Sequence, residues 1–278
     1  MTGPELHPWN EQFSWADHDG PFRCLTADEA RQFDELGYVV IPDLVEADEL
    51  AHLTAELDDL EAEVDAFLRS RDEGRFSIAE TGAITFAVHA VTRSPAARAV
   101  SRSPRIVDLC ADLVGPDVRL YWDQAVYKKT EKPRRFPWHQ DNGYTFVEPQ
   151  AYLTVWLALT DATAENGCPQ VAPGLHRMGT LRHRYVEPLG WECLADVHDA
   201  RVAEVQAGGA VVFSSLTPHM TGPNVTGDVR KAYILQYAPS GAAVLHGDPA
   251  AGPSTSTTAC DDPARQYEVL RSGRPASA

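Results

Sequence analysis

Near residue 118 the spacing of apolar residues changes from a helical to an extended period, and no other feature of the chain narrows its architecture as much. Before that point Leu50, Leu53, Leu57, Leu60, Val64 and Phe67 recur at steps of three and four, which predicts a helix from Ala47 to about Phe67 with a solvated acidic face. Thr26 ahead of Asp28 and Glu29 predicts a shorter helix to Leu36, stopped by Gly37, and a third runs from Pro104 to Leu113. Between them Tyr38-Val39-Val40-Ile41 reads as a buried strand. Beyond 118, Val118 to Tyr127 alternates, and further strands are predicted around 151–159, 170–172, 201–205, 209–214 and 229–237, with Gly208-Gly209 and Gly222-Pro223-Asn224 as breakers. Short strands in irregular succession predict a mainly β fold with flanking helices, a sandwich or jelly roll. We expect one domain: a helical part at about 25–115, a β core at about 118–240, and, where Gly, Pro, Ser and Thr dominate, a loosely ordered tail at 247–278.

Composition narrows the partners. With 40 acidic against 24 basic residues the formal charge is −16, which disfavours nucleic acid and anionic membranes and leaves a small molecule as the expected partner. The five cysteines have no paired spacing and are expected to be free thiols. The first 24 residues carry neither a basic nor an apolar leader segment, and no apolar run could span a bilayer; a soluble, cytoplasmic protein is expected, as a monomer or small homo-oligomer.

The chemistry is concentrated in Phe136-Pro137-Trp138-His139-Gln140-Asp141-Asn142-Gly143-Tyr144. In an extended segment His139 and Asp141 project to one side and Gln140 to the other. His-x-Asp alone is a weak signal, but His219 follows the apolar strand Ala210-Val211-Val212-Phe213 and could return beside the pair. Two neutral imidazoles and one carboxylate make the facial triad of non-haem Fe(II) oxygenases, which leaves coordination positions open for reactants. On the strand from Val229 to Tyr237, Arg230, Ala232, Ile234 and Gln236 share one face. An inward guanidinium there needs an anion, and its fork matches a carboxylate; Thr221 could add a hydroxyl donor.

From Tyr121 to Tyr237 these segments resemble the phytanoyl-CoA dioxygenase family of Fe(II)/2-oxoglutarate-dependent oxygenases. The similarity rests on Trp138-His139-Gln140-Asp141-Asn142-Gly143-Tyr144, on Trp156 within Thr154 to Asp161, on Glu165-Asn166-Gly167-Cys168-Pro169 with Pro173-Gly174-Leu175-His176, where Leu175 replaces the usual serine, and on His219 to Asn224 followed by Arg230. Phe33, Gly37 and Tyr38 to Ile41 extend it toward the N-terminus. The resemblance implies a double-stranded β-helix holding Fe(II) by His139, Asp141 and His219. Arg230 and Thr221 would grip the distal carboxylate of 2-oxoglutarate, Phe136 and Trp156 would wall that cosubstrate, and O2 would be the oxidant, with succinate and CO2 released. In related halogenases the carboxylate position is Ala or Gly, so Asp141 argues for oxygenation.

Contacts to substrate or cosubstrate are expected from Gln124 and Lys128 on one strand face, and substrate contacts from Ile78, Phe86 and His89 in a segment where this family often builds a pocket or lid, and from Tyr144. The cation-rich run Lys128 to Arg135 could attract an anionic substrate. His176 is expected to order its own loop and His183 to lie at the surface. The reading is a hydroxylase of a small organic metabolite, in bacterial natural-product biosynthesis. Its rivals are desaturation, epoxidation or cyclisation by the same oxidant, a zinc hydrolase, and a non-catalytic jelly-roll binding protein.

Overall fold

A computed structural model describes residues 3–276. The first helix, α1 (Ala27–Leu36), begins in a reciprocal cap: the Thr26 hydroxyl accepts the Glu29 N–H at 3.2 Å, and the Glu29 carboxylate accepts the Thr26 N–H at 2.7 Å. The long helix α2 (Ala47–Arg69) buries Leu53, Leu57 and Leu60, each worth roughly 1.5–3 kcal/mol of apolar transfer. Its acidic face is not simply solvated, as the periodicity suggested. Glu56 accepts from Ser94 and the Ala96 N–H, Asp58 from Tyr127 and Lys231, and Glu61 from Thr85 at 2.8 Å and Lys129 at 2.7 Å. Glu56 thereby seats a helix the sequence reading missed, α3 (Pro95–Val100), which precedes α4 (Pro104–Leu113).

The principal strands are β1 (Tyr38–Ile41), β2 (Ile84–Val88), β3 (Val118–Lys128), β4 (Phe136–His139), β5 (Leu153–Ala158), β6 (Pro169–Val171), β7 (Ala210–Ser214), β8 (His219–Thr221), β9 (Arg230–Pro239) and β10 (Glu268–Arg271). The large antiparallel sheet runs β1-β7-β5-β9-β3, and the outer edge of β3 pairs with β2 along Gln124–Lys128 and with β10 at Val118–Arg119. The small sheet places β8 between β4 and β6. Alternation sorts the large sheet into two faces. Ala125, Tyr127, Val155, Leu157, Val212, Tyr233 and Leu235 pack outward with Leu53, Leu57, Ile106 and Leu109 of the helices. Val126, Trp156, Phe213 and Ile234 pack inward with Phe136 and Val171 of the small sheet, so the two sheets enclose a second core in the manner of a jelly roll.

The C-terminal segment departs from expectation. Instead of a loose tail past Gly247, Ser256–Ala259 pairs with Ala243–His246, β10 joins the large sheet, and Tyr267, Val269 and Leu270 enter the main core. Those few apolar residues close the edge that β2 leaves uncovered at the start of β3, and a composition average over Gly, Pro and Ser hides them. All five cysteines are free. Among the described residues no helix is long and apolar enough to cross a membrane.

Candidate metal centre

The two candidate histidines lie directly opposite one another on adjacent strands, His219 of β8 against His139 of β4. Each ring is oriented by the carbonyl two residues earlier: His139 Nδ1 donates to Pro137 O at 2.9 Å and His219 Nδ1 to Thr217 O at 3.0 Å. A carbonyl can only accept, so each Nδ1 carries the hydrogen and each Nε2 keeps its lone pair. Both Nε2 atoms face Asp141 Oδ1, at 3.8 and 3.9 Å. Thr154 of β5 donates to the other carboxylate oxygen at 2.6 Å, leaving Oδ1 free to ligate. Burial, and then the neighbouring His219 ring, holds His139 well below the usual imidazole range, so at neutral pH it is an uncharged donor. The ligating atoms of His139, Asp141 and His219 all lie within 4.8 Å of one another, and among the described residues this is the one cluster of metal-binding type.

The backbone stays extended through Gln140, at φ −104° and ψ 143°, before turning at Asp141–Gly143, which sends Gln140 away from the ligands as alternation requires. Its carboxamide donates to Gly179 O and Leu216 O and accepts the Leu181 N–H at 2.6 Å. One side chain thus ties the His139–Asp141 turn to the loop that presents His219. His183, expected at the surface, is part of the same clamp: its Nε2 accepts the Gln140 N–H at 2.9 Å while Nδ1 donates to Leu181 O. The ring fits only because residue 143 is glycine, since a Cβ there would come within 1.9 Å of it. We expect His183→Phe, which keeps a ring but loses the acceptor, to lower Fe(II) affinity by about ten- to a hundredfold in an anaerobic metal titration, with His183→Gln partly restoring it. Equal affinity in the phenylalanine variant would show that the clamp does not position the ligands.

Deeper in the interior, Arg230 is 1% exposed, with Nε and Nη1 lacking any hydrogen-bond partner. Burial draws its pKa down to about 10, so it remains a cation at neutral pH, and its guanidinium lies 5.0 Å from the centre of the Trp156 ring. A buried, unpaired cation is strongly unfavourable unless an anion joins it, and a planar fork suits a carboxylate. Across the ladder from Arg230 is Lys128, itself 1% exposed, whose ammonium donates to Thr221 Oγ1 at 2.7 Å, to Thr221 O at 3.1 Å and to Gly222 O. Its nitrogen is engaged with three oxygens, two of them backbone carbonyls, so Lys128 holds the Thr221–Gly222 segment and is not extended toward a substrate as expected. Gly167, at φ +84°, meets the same segment, and a Cβ there would lie 2.5 Å from Gly222 O. Phe136 sets its ring 4.8 Å from that of His139, near the mouth.

The remaining candidates divide. Tyr144 stacks at 6.3 Å on Phe136 and meets His139 edge-on at 5.2 Å, and Ile78 and Phe86 pack against the same inner cluster. Gln124 faces inward on β3, opposite Ile234. His89 stands behind Trp122, ring centres 4.3 Å apart, with Nε2 accepting from Arg265 at 3.3 Å. His176 orders its loop as expected, its Nε2 donating to Asp34 O at 3.0 Å and its ring edge-on to Trp15. The cation-rich run is largely paired within the fold: Lys129 pairs with Glu61, Lys132 and Arg134 share Glu80, and Arg135 pairs with Glu192, so the acids that offset these charges come from elsewhere in the chain.

Two imidazoles and one carboxylate leave one side of a metal ion open, and on a jelly roll with an anion-seeking cation nearby they define a non-haem oxygenase. The chain belongs to the phytanoyl-CoA dioxygenase (PhyH) family of Fe(II)/2-oxoglutarate oxygenases, whose profile matches residues 33–232. It is 26% identical over 239 residues to an ectoine dioxygenase of Bordetella parapertussis, covering 77% of this chain and 75% of that one. With phytanoyl-CoA dioxygenase domain-containing protein 1 of Danio rerio it shares 26% identity over 175 residues, covering 59% of this chain and 60% of the relative's length. Among solved structures, the apo form of the non-heme monooxygenase ThoJ superposes with a TM-score of 0.64 at 25% identity, over 78% of this chain and 80% of that one.

Proposed function

We propose that this chain hydroxylates a C–H bond of a small organic metabolite with Fe(II), 2-oxoglutarate and O2, in bacterial natural-product biosynthesis. The observation that carries the reading is that one β core holds both the unpaired guanidinium of Arg230, set against Trp156, and an open His139/Asp141/His219 set. Those three residues would hold Fe(II), Arg230 and Thr221 the distal carboxylate of 2-oxoglutarate, and Trp156 and Phe136 its flanks. The bound metal and cosubstrate supply the oxidising power: 2-oxoglutarate gives two electrons on decarboxylation to succinate and the C–H bond gives two, which together reduce one O2.

The protein's own contribution is order and exclusion. Nδ1–H bonds to Pro137 O and Thr217 O keep both imidazoles in the ligating tautomer, and the Thr154 hydroxyl fixes which oxygen of Asp141 turns inward. Phe136, Tyr144 and Trp156 keep water from the reacting face. The helices, the jelly roll and the C-terminal strands act as one domain. The test is anaerobic reconstitution with Fe(II) and 2-oxoglutarate, then admission of oxygen with a panel of candidate metabolites. One succinate per O2 and a product sixteen mass units heavier are expected. Activity with zinc in the absence of oxygen, or oxygen uptake without succinate, would refute the proposal.

A further inference from the structure

Two glutamine carboxamides face the interior at the end remote from Arg230, and among the described residues no protein hydrogen bond reaches either. Gln236 of β9 is 7% exposed and lies opposite Trp122 on one side and Thr154 on the other; Gln124 of β3 is half-buried and lies opposite Ile234. Thr154 is the residue whose hydroxyl holds Asp141, so Gln236 adjoins the metal carboxylate. Six residues of strand separate Gln236 from Arg230, roughly 20 Å along the backbone. The other buried glutamines are all engaged: Gln140 with Leu181 N–H, Gln150 with Thr180 and Gln266 with Tyr121 O. Neither carboxamide is sealed off from solvent, so both keep their donors and acceptors available, and two of them on one wall offer a surface to an external hydrogen-bonding group.

The surroundings say which kind. Trp122, half-buried and two residues before Gln124 on the same strand face, is backed by His89, which adopts a left-handed backbone at φ 57° and is held by Arg265. That buttress keeps the indole in place as a flat apolar wall. Arg265, the cation that holds His89 behind this wall, is itself paired with Asp262 at 2.9 Å, so the charge brought to the wall from that side is balanced.

We propose that Trp122, Gln124 and Gln236 form the substrate subsite, and that it recognises an uncharged molecule presenting carbonyl or hydroxyl groups from an apolar ring. This deepens the oxygenase reading and rests on it. The test uses the full chain loaded with Fe(II) and 2-oxoglutarate and a fixed panel of lactams, cyclic ketones and polyols, each matched with its carboxylate or phosphate ester. Neutral members are expected to stimulate oxygen uptake and their anionic partners not to. Gln236→Leu and Gln124→Leu should each raise the KM for the stimulating compound about tenfold, while the cosubstrate KM stays within about twofold of its original value. Gln236→Glu, which keeps the volume and adds a charge, guards against a packing defect and should lose the stimulation as well. Preference for an anionic member, no stimulation by any neutral one, or an unmoved substrate KM in the leucine variants would overturn the subsite. If the unaltered protein binds neither Fe(II) nor 2-oxoglutarate anaerobically, the oxygenase reading itself fails; with that binding intact, those results strike only the subsite.

Discussion

Replacing His139 with alanine is expected to abolish turnover and to lower Fe(II) affinity by at least about a thousandfold, more than the ten- to hundredfold typical of losing a residue that only orients a ligand. Only one of three donors disappears, but it is one of the two neutral nitrogen donors, and the remaining pair, Asp141 and His219, offers a metal two ligands from separate segments. The fold should survive. Among the described residues the His139 side chain makes a single hydrogen bond, to Pro137 O, and leaving that carbonyl unpaired costs about 1–3 kcal/mol. Metal titration together with circular dichroism checks both halves. Iron-dependent succinate formation persisting in a folded His139→Ala protein would remove this residue from the metal site.

Arg230→Leu should act in two opposite directions. The cosubstrate KM is expected to rise by about a hundredfold or more, since a charge-assisted, two-pronged contact in a dry interior contributes on the order of 3 kcal/mol. The protein without cosubstrate should be at least as stable as the original, because leucine removes a guanidinium whose Nε and Nη1 are buried and unpaired. Thermal unfolding with and without 2-oxoglutarate separates the effects. The original protein should gain stability with ligand concentration and the variant should not. A large loss of stability in the unliganded variant, with cosubstrate affinity unchanged, would make Arg230 a structural residue.

Much of the site was legible because alternation on a strand is a local property. His139 and Asp141 project together and Gln140 apart for the same reason that Arg230, Ala232, Ile234 and Gln236 share a face. The helices at Ala27–Leu36 and Pro104–Leu113 were legible through a cap and a terminal proline, both local signals. What escaped were pairings between distant segments. Nothing near Lys128 announces that its ammonium is used up by Thr221 and Gly222, nearly a hundred residues on, and nothing near His183 announces the Gln140 N–H. The acids of α2 look solvated from their own helix and are engaged only because Ser94, Thr85, Lys129 and Lys231 are brought to them.

The linear order of residues was enough to determine the mainly β class and the helical N-terminal part and to single out the candidate metal donors, because period, caps and ligand chemistry are carried by near neighbours. Tertiary structure alone decided that most of the cationic run meets acidic partners within the fold, that residues 267–270 complete the large sheet, and that two glutamines share a wall with Trp122 and no protein partner among the described residues. Charge balance, edge closure and hydrogen-bond satisfaction depend on which remote groups meet, and that is settled when the sheets and helices pack.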